Sequence, residues 1–253
     1  MSTPAPRATP PGLLTALKLR AQRMLTACGY EVHRQRAHRA TIRGLRYRAD
    51  PCSVGCLPET ELAATSAVQM LEAWPRSRSE LAVLDLCCGI GAIGLSLFAE
   101  HGGARVRDVA FADINIFNLT SVERAVRDNG FADDWGTRLR HYLSDGLDQV
   151  PRDRLFDLVV CNPPHFPAAG DAPINTPARL ASHDPSGRLQ PTILSRCHQY
   201  LAPGGEIWLL QNREAGNPQW LLGLADQNAH LEPARAVRTA AGQPFYWLVA
   251  RRQ

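Results

Sequence analysis

The hexapeptide CNPPHF, residues 161 to 166, places an amide, two imide carbonyls and an imidazole directly after the apolar run Leu155 to Val160. An amide oxygen and a neighbouring backbone carbonyl form a pair of acceptors, and such a pair grips the two N–H bonds of an amine or amide. Pro163 keeps its carbonyl after losing its N–H, and the proline pair restricts the chain to an extended path, so both acceptors arrive preorganised. A nitrogen held this way can aim its lone pair at an electrophile, and orientation of that kind supplies ~7–11 kcal/mol of a barrier. Asn162 and Pro163 are therefore candidate catalytic residues. His165 joins them, because a titratable ring nitrogen can orient the acceptor or take a proton from an ammonium or hydroxyl.

Polar residues close other apolar runs in the same way. LDLCCGIGAIG holds Asp85 at the end of one run, followed by Gly89 and Gly91, which permit a tight turn and close approach of a ligand to the backbone. Cys87 stands two positions before Gly89, where the dinucleotide pattern G-x-G-x-x-G has its first glycine. The departure favours a nucleoside without a pyrophosphate. Asp113 ends the next run and is placed to accept both hydroxyls of a ribose. Ser144 and Asp145 end a third and border the same pocket.

These residues need a scaffold that brings strand ends together. From residue 81 the chain alternates apolar strands (LAVLDL, VRDVAFAD, RLRHYLSD, RLFDLVVCN, GEIWLLQN) with amphipathic segments such as GAIGLSLFAE, FNLTSVERAVRDNG and RLQPTILSRCHQYLAP. That order predicts an α/β fold: a Rossmann-like, doubly wound, mostly parallel sheet with helices on both faces. ARAVRTAAGQPFYWLVARR predicts two strands joined near Gly242 as an antiparallel C-terminal edge. Upstream, residues 13 to 28 have helical spacing, TIRGLRYRADPCSVG reads as a β-hairpin, and PETELAATSAVQMLEAW reads as a helix opened by Pro58 and Glu59. Two units are expected, a short basic N-terminal segment over 1–50 and the main domain over 51–253. Residues 167 to 188 are long enough to fold over the site as a lid, with His183 and Asp184 as candidate acceptor contacts and Asp184 alternatively a helix cap.

The ordered set DLCCGIG, Asp113, Ser144-Asp145 and Asn162-Pro163-Pro164-His165 resembles the successive motifs of class I S-adenosylmethionine-dependent methyltransferases. The last element resembles the N/D-P-P-Y/F/W signature of enzymes that methylate planar nitrogens. GCLPETELAATSAVQML is similar to the segment preceding the cofactor loop in the HemK/PrmC protein-glutamine methyltransferases. The resemblance spans roughly residues 42 to 251. It implies S-adenosylmethionine as cofactor, with Gly89 and Gly91 facing it, Asp113 on its ribose and Asp145 beside its adenine. Asp85, Cys87, Ile114 and Ser144 complete the implied cofactor contacts, and Asn162 would touch both cofactor and acceptor nitrogen. His165 departs from the aromatic that stacks on the acceptor in that family, and Phe166 offers a ring nearby.

The departure at His165 and the short N-terminal region favour an N-methyltransferase acting on an amine or amide of a small molecule or peptide. The alternatives are a protein-glutamine or RNA adenine N-methyltransferase, or a non-catalytic cofactor-binding partner subunit. Residues 1 to 50 carry ten basic residues against Glu31 and Asp50, so the rest of this +4 chain is net negative. That surplus allows a nucleic acid partner through the N-terminal segment. Seven dispersed cysteines point to reduced thiols, and Cys52 and Cys56 lack a second pair, so no metal is expected. No run of about 18 apolar residues is present, nor the apolar core of a signal peptide, so no membrane partner and a cytoplasmic location are expected.

Overall fold

A computed structural model describes residues 39–50, 52–53, 58–74, 80–167, 183–184, 187–215 and 218–253. The helix expected over residues 13 to 28 lies outside the described residues, as does most of the expected lid. The strands are Arg39–Ile42 (β1), Leu45–Arg48 (β2), Leu81–Leu86 (β3), Val106–Asp113 (β4), Leu139–Leu143 (β5) and Phe156–Cys161 (β6). They continue with Phe166–Pro167 (β7), His183–Asp184 (β8), Leu201–Asn212 (β9), Arg235–Arg238 (β10) and Phe245–Arg251 (β11). The α-helices are Pro58–Ala73 (α1), Ala92–His101 (α2), Ile116–Asp128 (α3), Leu189–Arg196 (α4) and Pro218–Asp226 (α5).

Seven strands form one sheet in the order β10-β11-β9-β6-β3-β4-β5. β5, β4, β3, β6 and β9 run parallel, while β11 pairs antiparallel with β9 and β10 antiparallel with β11. The central strand β3 is buried along its whole length, the pattern of a strand covered on both faces. Val83 and Val109 join Ala63, Leu95 and Leu119 of α1, α2 and α3 on one face, whereas Leu84 and Ala110 join Ile193 of α4 and Leu221 of α5 on the other. The sheet is thus doubly wound and Rossmann-like. From β3 the chain proceeds outward through β4 and β5, and β6 returns to the opposite side of β3, so a crevice opens at their carboxyl ends.

The antiparallel edge matches the sequence expectation, with β10 outermost and β11 inside it. The helix α5, whose LLGLA supplies its apolar face, was not anticipated from the sequence. In the β1–β2 hairpin, Ile42 and Tyr47 are buried in the core shared with α1 and α2. Its arginines reach the far end of α3, where Arg48 pairs with Asp128 at 2.6 Å, and Asn129 exchanges two hydrogen bonds with the Arg46 backbone. From there the chain climbs α3, through Asp50 N–H to Ser121 Oγ and Asn115 Nδ2 to Cys52 O, and so delivers α1 to the crevice. Among the described residues no helix is long and apolar enough to cross a membrane.

α1 is fixed to the sheet by one buried polar link. The Trp247 indole N–H donates to Ser66 Oγ at 2.9 Å, and that hydroxyl donates to the Ala63 carbonyl. Ser66→Ala would leave a buried indole N–H without an acceptor. A loss of about 1–3 kcal/mol is expected, read as a lower urea midpoint with an unchanged slope.

Candidate functional site

The turn after β3 is shaped by what packs beneath it. Gly91 caps α2 at φ 79°, and a Cβ there would lie 2.9 Å from Val122 Cγ2. Gly94 has no room either, because a Cβ would sit 2.8–2.9 Å from Phe111, Asp85 and Val109. The missing side chains let α2 settle onto β3 and β4 with its first N–H groups directed at the crevice. Gly89 differs: at φ 53° a Cβ would meet nothing within 4 Å, so its backbone borders open space. Cys87 precedes it at φ 55°, a conformation that strains a residue with a side chain.

The carboxylate of Asp113 organises this turn. Its Oδ2 accepts the Gly89 N–H at 2.8 Å, while Oδ1 accepts the Asn115 N–H at 2.8 Å and Asn118 Nδ2 at 3.0 Å. Burial pushes its pKa up to about 6, with those three donors opposing the rise. Asp85 is fully buried under the loop, where its Oδ2 accepts the Gly94 N–H at 2.8 Å and its Oδ1 has no partner. Burial holds its carboxyl well above the usual range, and the nearby Asp113 adds to the rise. Asp85 thus holds the start of α2 beneath the loop and does not line the cavity, unlike the cofactor contact the resemblance implied for it.

A single cavity gathers the remaining strand ends. Its lining includes Cys87, Gly89, Asp113, Ile114, Ser144, Asp145, Asn162, Pro163 and His165, residues singled out in the sequence. Ser144 turns its hydroxyl inward to the Gly146 carbonyl and the Gln149 N–H, leaving Asp145 exposed at the mouth. Ile114 presents an apolar surface, 53% exposed, at the cavity. Gly91 lies under the loop. Phe166 and His183 are backbone partners in the parallel β7–β8 pair, which also matches Pro167 with Asp184. Asp184 Oδ2 accepts the Leu189 N–H at 2.7 Å, the helix-capping contact expected of it.

At the exit of β6, Asn162 and His165 are joined. His165 Nε2 lies 3.1 Å from Asn162 Oδ1, and since the amide oxygen can only accept, the facing ring nitrogen carries the hydrogen. His165 Nδ1 is buried without a partner. Burial depresses the imidazole pKa to about 4, so the ring is neutral near pH 7. The Pro164 carbonyl is taken by Gln190 Nε2 at 2.7 Å. No described donor reaches the carbonyl of Pro163, which leaves it and the second lone pair of Asn162 Oδ1 as the two open acceptors.

Several lining residues escaped the sequence reading. Asn118 sits one turn into α3 on an otherwise apolar face, a polar outlier that signals a partner. Glu59 and Thr60 arrive with α1, and Asn212 with Phe245 closes the far wall as a register pair of β9 and β11. The Phe245 ring lies 6.0 Å from His165, so the aromatic beside the histidine comes from 80 residues away. No local signal could have found it.

Residues 61–234 match the model of the methyltransferase small domain. The chain belongs to that family. It is a class I S-adenosylmethionine-dependent methyltransferase with a HemK/PrmC-like core. One relative, the release factor glutamine methyltransferase of Burkholderia pseudomallei, is 29% identical over 214 residues, 79% of this chain and 71% of its own. A second, the tRNA1(Val) (adenine(37)-N6)-methyltransferase of Aeromonas hydrophila, is 31% identical over 69% of each chain. A T. thermophilus 16S rRNA methyltransferase, solved in complex with AdoMet and guanosine, shares the fold at TM-score 0.60 and 20% identity. That likeness covers 86% of this chain and 50% of the solved one.

The cavity of this methyltransferase suits the cofactor on its own evidence: an unobstructed glycine backbone, a helix start and a carboxylate share one wall. Asp85 supplies a stability test of that wall. Its pKa is raised on folding, so the folded state keeps a proton the unfolded state has released, and its contribution declines as pH rises above about 4. Asp85→Asn keeps an acceptor for Gly94 without the charge. Between pH 5 and 7 the urea midpoint of the variant is expected to rise relative to that of the unmodified protein.

Proposed function

We propose that the chain transfers the cofactor's methyl group to the exocyclic amine of an RNA base. The reading is carried by the pair of open acceptors, Asn162 Oδ1 and the Pro163 carbonyl, inside the cavity that also holds Asp113 and the glycine turn. Two acceptors on two N–H bonds rotate an aromatic amine until its lone pair leaves the ring's π system. S-adenosylmethionine, when bound, supplies an electrophilic methyl on a sulfonium. The nitrogen lone pair would form the N–C bond as the methyl's C–S bond breaks, leaving a neutral thioether, and the cationic methylated nitrogen would then release its proton to solvent to give the neutral product.

His165 fits this scheme as a positioning residue. With its pKa near 4 it is a poor base for an ammonium, and its Nε2–H instead fixes which way the Asn162 amide faces. Gln190 does the same for the loop by holding the Pro164 carbonyl. On the cofactor side we assign Asp113 to the ribose hydroxyls, Ile114 to one face of the adenine, Asp145 to its edge, and Gly89 to close backbone contact. Asp85, Cys87, Gly91 and Ser144 act by shaping the turns. Phe166, His183 and Asp184 stay candidates for the acceptor side.

Two relatives of this chain support RNA as the acceptor. Its adenine-N6 relative is named for tRNA and another, in Hahella chejuensis, for ribosomal RNA. The small-molecule acceptor expected from the sequence finds no support among these relatives. A second reading, methylation of a protein glutamine, is favoured by the release factor enzyme of Burkholderia, since a primary amide offers the same two N–H bonds.

Asn162→Ala is expected to lower turnover ~10²–10³-fold, by analogy with loss of one preorganised polar contact, while leaving cofactor affinity intact. Methyl-labelled cofactor with total RNA and with a glutamine peptide reads both turnover and acceptor; unchanged turnover in the variant would remove Asn162 from its role. A cofactor that needs the Asp113 carboxylate ionised should bind about tenfold more weakly at pH 5 than at pH 7, given its pKa of about 6. Calorimetric titration with the demethylated product tests this, and Asp113→Asn should bind weakly with no such pH dependence.

A further inference from the structure

The chain is rich in arginine, and among the described residues the fold pairs most of these side chains with carboxylates or backbone carbonyls. Arg43 pairs with Glu100 and Arg48 with Asp128, Arg46 donates to the Asp128 carbonyl, and Arg124 donates to the Arg48 carbonyl. Two of the hairpin's arginines are therefore matched to carboxylates, Arg43 on α2 and Arg48 on α3. At the amino ends of the strands, Arg107 and Arg154 meet the buried Asp108, and Arg138 meets Asp134. Arg213 and Arg238 behave differently: neither has a carboxylate or carbonyl partner among the described residues.

Both arginines flank Tyr246. The Arg213 guanidinium lies over its ring, 5.6 Å from the centroid, and Arg238 opposes Tyr246 in the β10–β11 register. Directly opposed residues point to the same face, so the two cations bracket one tyrosine. The mount is rigid. Tyr246 is buried in the sheet, Arg213 N–H donates to the Pro244 carbonyl, and Thr239 Oγ1 donates to the Phe245 carbonyl at 2.8 Å. Glu214, the adjacent acid in sequence, forms no ion pair with either arginine.

Position gives the pair a purpose. Arg213 follows Asn212 and Tyr246 follows Phe245, and Asn212 and Phe245 are the register pair that walls the cavity. Cys161 pairs with Leu209, so Arg213 stands one strand across from Asn162 and about 10 Å further along it, at ~3.3 Å per residue. That span is covered by the sugar and phosphate of a nucleotide whose base sits at Asn162. Unpaired guanidiniums mounted on a fixed platform match phosphate oxygens in charge and fork geometry.

We propose that Arg213 and Arg238 form a backbone clamp that binds the phosphates flanking the target base of a polynucleotide acceptor. The clamp rests on the RNA reading of the site and adds to it where the strand lies: across the β9–β11–β10 edge rather than along the N-terminal hairpin. It supplies affinity without sequence preference.

The test is binding of a mixed-sequence single-stranded RNA at several salt concentrations, alongside methyl transfer to total RNA. The double variant R213Q/R238Q is expected to bind at least tenfold more weakly in 100 mM salt. Its slope of log affinity against log salt should fall by about 1.4, at ~0.7 per single-strand phosphate contact. Affinity for the demethylated cofactor and thermal midpoint should stay unchanged, and R213K/R238K should recover most of the binding. Arg152, exposed and unpartnered at the opposite end of the sheet, is the control, and R152Q should change nothing. Unaltered RNA affinity and slope in the double variant, with RNA still methylated, would overturn the clamp and leave the acceptor reading standing. An equal loss in R152Q would overturn it too, in favour of diffuse charge. An unmodified protein that ignores RNA and methylates only the glutamine peptide would overturn both.

Discussion

Three N–H groups converge on the carboxylate of Asp113, and the shape of the cavity follows from that convergence. One comes from the glycine turn after β3, one from the backbone entering α3 and one from the side chain of Asn118. The carboxylate thus ties two consecutive βα turns to each other at the point where a ligand must pass between them. Asn115 extends the tie, capping α3 through its own side-chain oxygen and gripping Cys52 O with its amide nitrogen. Through that contact the segment leading to α1 is set by the same constellation. A rigid floor of this kind suits a displacement reaction, in which little is asked of the protein beyond holding two partners in line.

The site's electrostatics complement the floor. Asp85 is pushed toward its neutral form directly beneath the loop, and burial also pushes the Cys88 and Cys161 thiols up, with neighbouring carboxylates adding to the effect. A protonated thiol is a weak nucleophile. An enzyme that stores an electrophilic methyl beside several cysteines needs them protonated, and burial accomplishes that without any dedicated partner. His165 is kept neutral by the same desolvation. The carboxylates that line the cavity are Asp113, Asp145 at the mouth and Glu59 of α1.

Most of this was legible where function and local geometry coincide. β3, β4 and β6 announce themselves as apolar runs, and Asp113 at the end of β4 and Asn162 just after β6 line the cavity. Asn162, Pro163 and Asp113 could be named because strand ends of a parallel sheet are brought together by topology alone. What resisted reading depends on distant partners. Asp85 sits at a strand end yet serves the Gly94 N–H, a contact visible only once α2 is laid over the sheet. Phe245 reaches His165 through an antiparallel edge whose register no local pattern encodes. The arginine surplus of the N-terminal segment was plain in the composition, but the pairing of Arg48 with Asp128 and of Arg43 with Glu100 needed the packing of the hairpin on α3 and α2.

The first turn of α4 holds both flanks of the acceptor loop. Gln190 grips the Pro164 carbonyl on one side, and the Leu189 N–H is held by Asp184 on the other. β7 and β8 then bind the two flanks to each other. Residues 162–167 and His183–Asp184 are therefore coupled segments, both held at the start of α4. Grafting only the Asn-Pro-Pro-His tetrapeptide between related enzymes would separate it from the Gln190 donor that holds it. The graft that carries specificity with it must include the opening residues of α4.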